Sequence, residues 1–168
     1  MKKTIFLNNI IVNGEFDLGI KAGLTKTEIE IRIGKPFGNP DIITPDVDYY
    51  RIDLDSGLCL VIIFLKNDLC FEAKINLNEN ENNELKLAVD GRSITIDKAT
   101  SFEKLISILS KLKIDWNFDA KKVYLQTACI KLENGLRMYY YCGDRSEDEY
   151  GLYVISTEIP FSSTLEGS

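Results

Sequence analysis

The chain has 168 residues, 45 % of them hydrophobic and 27 % charged, which fits one packed domain and excludes bulk disorder. Twenty-six Asp and Glu against 20 Lys and Arg leave a net charge of −6, a balance that repels nucleic acid and suits a basic protein surface. Histidine is absent, which removes Ser-His-Asp and Cys-His catalysis and nearly all familiar zinc enzymes.

Apolar periodicity and turn chemistry divide the chain into short elements. IFLNNIIV (residues 5–12) is two apolar runs hinged on Asn8 and Asn9, which predicts a β-hairpin. Lys2 and Lys3 ahead of it imitate a secretory signal, but the two asparagines cut the run well short of the about 7 to 15 apolar residues such a signal needs. The longest apolar run, LCLVIIFL (58–65), is far below the about 20 residues that span a bilayer. The expectation is an unexported, cytoplasmic protein without membrane contact.

GLTKTEIEIRIGKP (23–36) predicts a short helix with its punctuation attached. Thr25 is the N-cap and Glu28 completes a capping box; Leu24 and Ile29 are spaced as a hydrophobic staple; Gly34 and Pro36 end the helix. Three strands follow. YYRIDL (49–54) alternates, with Tyr50, Ile52 and Leu54 on one face. LCLVIIFL is apolar on both faces, as a central strand would be. FEAKINL (71–77) sets Phe71, Ala73, Ile75 and Leu77 against Glu72, Lys74 and Asn76. NENENNEL (78–85) reads as a polar linker loop, and KLAVDGRSITI (86–96) as a hairpin on Asp90-Gly91. In ATSFEKLISILSKLK (99–113), Thr100 and Glu103 repeat the capping pair, and Leu105, Ile108, Leu109 and Leu112 form a helical stripe. Strands are expected near 122–132, 136–142 and 150–157.

The order repeats. The helix starts lie 75 residues apart, and Gly57-Leu58 finds an echo in Gly135-Leu136, 78 residues on. The expected fold is α+β: an antiparallel sheet of two tandem hairpin–helix–β-meander repeats, about 1–78 and 85–158, with the short helices packed on one face. Residues 1–159 form the single domain and 160–168 a flexible tail. Cys59, Cys70, Cys129 and Cys142 form no CxxC pair and read as small buried hydrophobes.

Chemistry-bearing motifs are few. There is no Walker loop, no GxGxxG and no EF-hand loop, so no cofactor or metal is expected. Lys98, Lys104, Lys111, Lys113, Lys121 and Lys122 read as a solvated helix face. Two acidic clusters with tyrosines remain as candidate partner-binding loops. The first holds Asp46, Asp48, Tyr49, Asp53 and Asp55; the second holds Tyr139, Tyr141, Asp144, Glu147, Asp148, Glu149 and Tyr150. Tyrosine supplies rigid contact area, and surrounding carboxylates steer a basic partner.

The string IKAGLTKTEIEIRIGKP (20–36) resembles a bacterial signature in which a Gly-Leu-Thr-x-x-Glu-Ile helix start and an Ile-Gly-x-Pro helix end precede a small meander. It is similar to the repeat of the β-lactamase inhibitor proteins and of small outer-membrane assembly lipoproteins. In the inhibitors, two tandem copies form a concave sheet that grips an enzyme. The second copy here lacks the Gly-Leu-Thr, the staple and the Gly-x-Pro stop, and neither signal peptide nor lipobox is seen. An acidic tandem protein of this kind looks like an immunity protein of a contact-dependent growth inhibition system. That resemblance implies a non-enzymatic antitoxin occluding the active site of a cognate toxin, often a basic nuclease. The alternatives are an assembly module whose sheet edge accepts a partner strand, and a carboxylate-based, metal-dependent enzyme.

Overall fold

The computed structural model describes residues 2–144 and 150–160. In chain order the elements are β1 (Lys3–Phe6), α1 (Asn8–Asn13), α2 (Lys26–Ile33), β2 (Ile42–Ile43), β3 (Val47–Asp53), β4 (Cys59–Leu65), β5 (Cys70–Asn76), β6 (Asn83–Val89), β7 (Arg92–Thr95), α3 (Phe102–Lys111), β8 (Trp116–Phe118), β9 (Thr127–Leu132), β10 (Arg137–Tyr141) and β11 (Gly151–Glu158). The fold is α+β and mostly antiparallel. Eight strands form one sheet in the order β2-β3-β4-β5-β11-β10-β9-β8, and β1-β6-β7 form a small second sheet.

The large sheet is two four-strand meanders joined edge to edge, β5 pairing antiparallel with β11 from Glu72↔Glu158 to Asn76↔Val154. The two inner hairpins close alike. Gly57 N–H donates to Leu54 O at 2.8 Å and Leu54 N–H to Leu58 O at 2.9 Å; Gly135 N–H donates to Leu132 O at 2.9 Å and Leu132 N–H to Leu136 O at 2.8 Å. Both turn glycines need positive φ, 95° and 89°, which is why glycine stands at each.

Helix α2 keeps the predicted caps. Thr25 Oγ1 accepts from Glu28 N–H at 3.2 Å, Glu28 Oε2 accepts from Thr25 N–H at 2.7 Å, and Gly34 ends the helix at φ 72°. A helix of two turns gains little from propensity alone. It holds its place by burying Ile29 and by lodging Lys26 against Tyr50, with Nζ 2.7 Å from the phenol oxygen and 4.7 Å from the ring centre. Helix α3 buries Leu105, Ile108 and Leu109, and its Phe102 packs on Trp116, Phe118 and Tyr140. Following the strand register from Tyr50 through Ile62 to Ala73, and from Ile75, on the same face of β5, through Ile155 and Met138 to the face of Tyr140, shows that both helices lie on one face of the large sheet.

Three expectations are corrected. IFLNNIIV is a strand followed by a helix, because Asn8 turns its amide onto β6, exchanging 2.8 Å hydrogen bonds with Ala88 N–H and O. The side chain thus extends the parallel β1–β6 ladder while the backbone departs into α1. The cap of α3 is Ser101, whose Oγ accepts from Lys104 N–H at 3.2 Å; Thr100 is buried, and its carbonyl accepts from Tyr140 Oη at 2.7 Å. The segment 78–85 is no free linker. It begins β6, and Asn80, 1 % exposed, accepts from Cys59 N–H at 3.0 Å and donates to Cys59 O and Asn76 O. The predicted tail lies outside the described residues beyond Pro160.

Asn80→Ala strips partners from two buried backbone groups of Cys59 and from the part-buried carbonyl of Asn76 and is expected to cost about 2–3 kcal/mol in urea unfolding, whereas Asn82→Ala, at an exposed neighbour, stays within about 0.5 kcal/mol of the parent.

Candidate functional site

Opposite α2 and α3, the large sheet carries the 3-10 turn Ala120–Lys122 over its β9–β11 side, and the strand register fixes what stands on that face. One row across the strands reads Ile42, Tyr49, Ile63, Glu72 and Glu158. The next reads Arg51, Val61, Lys74, Ser156, Arg137, Lys131 and Asn117. The β2–β4 side is therefore largely aliphatic and the centre and β9–β11 side charged.

The centre is held by a compact polar network. Glu158, its side chain 4 % exposed, accepts from Lys122 Nζ at 2.7 Å, from Ser156 Oγ at 2.9 Å and from Tyr139 Oη. Arg137 donates through Nε to Asp119 at 3.0 Å and through Nη1 to the carbonyl of Glu158 at 3.4 Å. Lys74 pairs with Glu72 at 3.0 Å. Lys122 and Asp119 reach the network because residues 119–126 fold over the sheet. Asp119 N–H bonds Cys129 O at 2.9 Å, and the Gln126 side chain accepts from Tyr141 Oη at 3.1 Å.

Environment separates the two central carboxyls. Burial alone would raise that of Glu158, but hydrogen bonds from Lys122 and Tyr139, the Lys122 charge and the Ser156 hydroxyl outweigh it and hold it below the ordinary carboxylate range. Glu72 is raised, chiefly by burial and further by the Glu158 charge, despite Lys74. Asp119 resists its own burial through Arg137 and stays low. The Tyr139 phenol is raised by burial and by Glu158, so it remains a donor. Cys59, Cys70 and Cys129 are free thiols pushed up to about 12 by burial, which keeps them from acting as nucleophiles. Cys142 is exposed, contrary to the expectation of four buried cysteines.

The face is shallow where Glu72 and Glu158 meet: a depression of about 240 Å³ lined by them with Phe71, Tyr139 and Tyr153. Beside it, a crevice of about 750 Å³ runs between the 117–122 segment and β9–β11. Among the described residues, no group of three or more His, Cys, Asp or Glu side chains is placed to hold a metal ion.

The first acidic cluster is dispersed. Asp46 lies in the β2–β3 turn, and Asp48 at the same end is ion-paired with Lys66. Asp53 and Asp55 lie at the other end of the seven-residue β3, about 20 Å away at about 3.3 Å per residue. Tyr49, Tyr139 and Tyr141 all stand on the uncovered face. Tyr150 bridges to Tyr141 and Asp144 is exposed, whereas Glu147, Asp148 and Glu149 lie outside the described residues. Lys122 belongs to no solvated helix face; it sits in a 3-10 turn over the sheet. Sequence reasoning missed Glu72, Lys122, Arg137 and Glu158 as a group. The alternation of FEAKINL marked Glu72 and Lys74 as opposite the core, but only the β5–β11 pairing brings Glu158 to them.

No family model, curated protein or solved structure matches the chain.

Because the Glu158 carboxyl is depressed in the folded state, its contribution is present above the ordinary carboxylate range and is lost as pH falls through its folded value. Glu158→Gln is expected to cost about 2–3 kcal/mol in urea unfolding at pH 7 and progressively less toward pH 3. Glu72 has the opposite sign, its charge opposing folding at neutral pH, so Glu72→Gln is expected to lose no stability at pH 7.

Proposed function

We propose that this protein neutralises another protein by laying the uncovered sheet face across it, as an immunity protein blocks a cognate toxin domain. The observation that carries this reading is the asymmetry of the large sheet: one face is packed against α2 and α3, while the other is bordered by the 119–126 loop and bears Tyr49, Tyr139, Tyr141 and Tyr153. Large aromatic side chains on a rigid open surface are the usual energetic anchors of protein interfaces. The 119–126 loop forms a raised border, with Val123, Tyr124 and Leu125 exposed at its tip.

The cognate partner in this reading is a basic toxin domain, a nuclease of a contact-dependent growth inhibition system, met in the cytoplasm and covered at its active site. Asp46, Asp53 and Asp55 are exposed around the ends of β3 and serve as a steering rim. An interface of standard size, about 1,600 Å² in total, with a few tyrosine anchors reaches nanomolar affinity. Slow release comes from the quality of those anchors more than from area.

We further propose that the two meanders descend from one duplicated unit. Supporting this are the matching Leu-Asp-Ser-Gly-Leu (54–58) and Leu-Glu-Asn-Gly-Leu (132–136) hairpins and the helix that precedes each meander. The unlike starts of the two halves, β1–α1 against the β6–β7 hairpin, mark where the copies would have diverged.

A second reading rests on Glu72 and Glu158. Their carboxyls face each other across two strands with opposite displacements, the arrangement of a general acid and base. Each is already paired with a lysine above a shallow depression, so the binding reading is preferred.

The test is binding to a compact basic domain, should the reading frame immediately upstream encode one. Tyr49→Ala and Tyr153→Ala are each expected to weaken it about tenfold or more, while Ile31→Ala, at a 75 % exposed position on α2, leaves it unchanged. Reversing Asp46, Asp48, Asp53 and Asp55 together should slow association most at low salt. Equal losses from both faces, or no complex at all, would remove the reading.

A further inference from the structure

The large sheet ends in two unlike edges, β2 and β8. β2 is two residues long and stands between Pro40 and Pro45, which lack the N–H that a further strand would bond. β8 has no such guard: Trp116, Asn117 and Phe118 include neither proline nor lysine, and no described strand pairs with its outer side. Glu133 N–H donates to Asp115 O at 3.0 Å and Asp119 N–H to Cys129 O at 2.9 Å, so the β8–β9 ladder extends from Asp115 to Asp119. Bonding alternates along an antiparallel ladder. Asp115, Asn117 and Asp119 therefore bond inward to β9, and Trp116 and Phe118 turn both N–H and C=O outward.

Aromatic surface borders the same edge. Phe118 is 55 % exposed; its ring stacks on Phe102 at 5.9 Å and meets Trp116 edge-on at 5.4 Å. Phe102, Ile106 and Trp116 are themselves only partly buried. The register sets Trp116 opposite Leu132 and Phe118 opposite Ile130, so both rings stand on the face covered by α3, while Asn117 stands with Lys131 on the other. An open ladder and a half-covered aromatic cluster thus coincide at one end of the sheet.

We propose that two copies of this chain join β8 to β8 in antiparallel, about a two-fold axis perpendicular to the sheet at Asn117. This edge is its own complement. In that register Trp116 of each copy lies opposite Phe118 of the other, and each such pair exchanges N–H···O bonds in both directions. The two aromatic clusters merge beneath one continuous sheet, and the contact, being isologous, closes at two copies. On the opposite face Asn117 meets Asn117, and Asp115 meets Asp119, whose carboxylate is turned away onto Arg137 at 3.0 Å. That acidic pair opposes the contact, and the contact itself is small, so the dimer is a weak and reversible one. The pairing goes beyond the antitoxin reading and leaves the tyrosine-bearing face free, so either can fail without the other.

Sedimentation equilibrium of the full chain tests the association, a dimer being expected to form between about 1 and 200 µM. Asn117→Glu sets two like charges against each other at the axis and is expected to weaken dimerisation about fivefold. Within one copy the new carboxylate faces Lys131 from an exposed position, so the fold is expected to hold, which circular dichroism checks. Cross-linking in a Cys142→Ser background reads the register. Neighbours in a non-hydrogen-bonded antiparallel pair lie about 4.5 Å apart at Cα, within disulfide reach, so Asn117→Cys is expected to join the copies under oxidised glutathione. Lys131→Cys, three strand spacings or about 14 Å from its equivalent, is expected not to. A parent chain still monomeric at about 200 µM overturns the proposal without recourse to any variant. So does a dimer that Asn117→Glu leaves intact, one that Asn117→Cys fails to cross-link, or one that Lys131→Cys cross-links equally well.

Discussion

The antiparallel pairing of β5 with β11 is the contact on which the rest of the molecule depends. Without it there are two separate four-strand meanders, each with a long open edge of the kind that invites mispairing. With it, Ile75 meets Ile155 on the covered side and a continuous floor forms for both helices. On the other side the same register sets Glu72 opposite Glu158 and Lys74 opposite Ser156. One ladder thus determines both where the core lies and where charge concentrates.

That concentration of charge is tolerable because every central group is answered. Two neighbouring carboxylates with burial above them would normally force one to take up a proton. Here Lys122, Tyr139 and Ser156 converge on Glu158, and the burden falls on Glu72. Among the described residues no buried side-chain nitrogen or oxygen lacks a hydrogen-bond partner. A satisfied polar network of this kind stiffens the sheet centre, so the tyrosines around it stand on a rigid base. Rigidity before contact lowers the entropy lost on binding.

Much of the fold was legible in the sequence because local signals and tertiary demand agreed. Alternation gave the faces of YYRIDL and of Ala73, Ile75 and Leu77, while a β-bulge opposite Ile63 and Phe64 brings Phe71 beside Glu72 instead of into the core; the Thr25–Glu28 box and Gly34 stop marked α2. Legibility failed where a side chain took over a backbone role. Asn8 completes a ladder with its amide, so an apparent hairpin hinge is a strand end. Thr100 and Ser101 are adjacent and both able to cap; burial of Thr100 beneath Tyr140 decides between them. The acidic residues of 41–55 looked like one cluster because sequence proximity conceals the length of an extended strand. Arg137 and Asp119 are 18 positions apart and became neighbours only through the folded-over loop, a relation no periodicity carries.

The parallel pairing of β1 with β6, from Lys3↔Asn83 to Phe6↔Lys86, sets an order of assembly. On the ribosome, the N-terminal strand emerges long before its neighbour exists. It must wait through the synthesis of a whole meander. Helix α1 waits longer still, because the carbonyls of Ile11 and Val12 that end it are satisfied by the side chain of Asn134, 2.7 and 3.0 Å away. The opening residues of this chain are therefore among the last to settle, since pairings this distant in sequence close slowly.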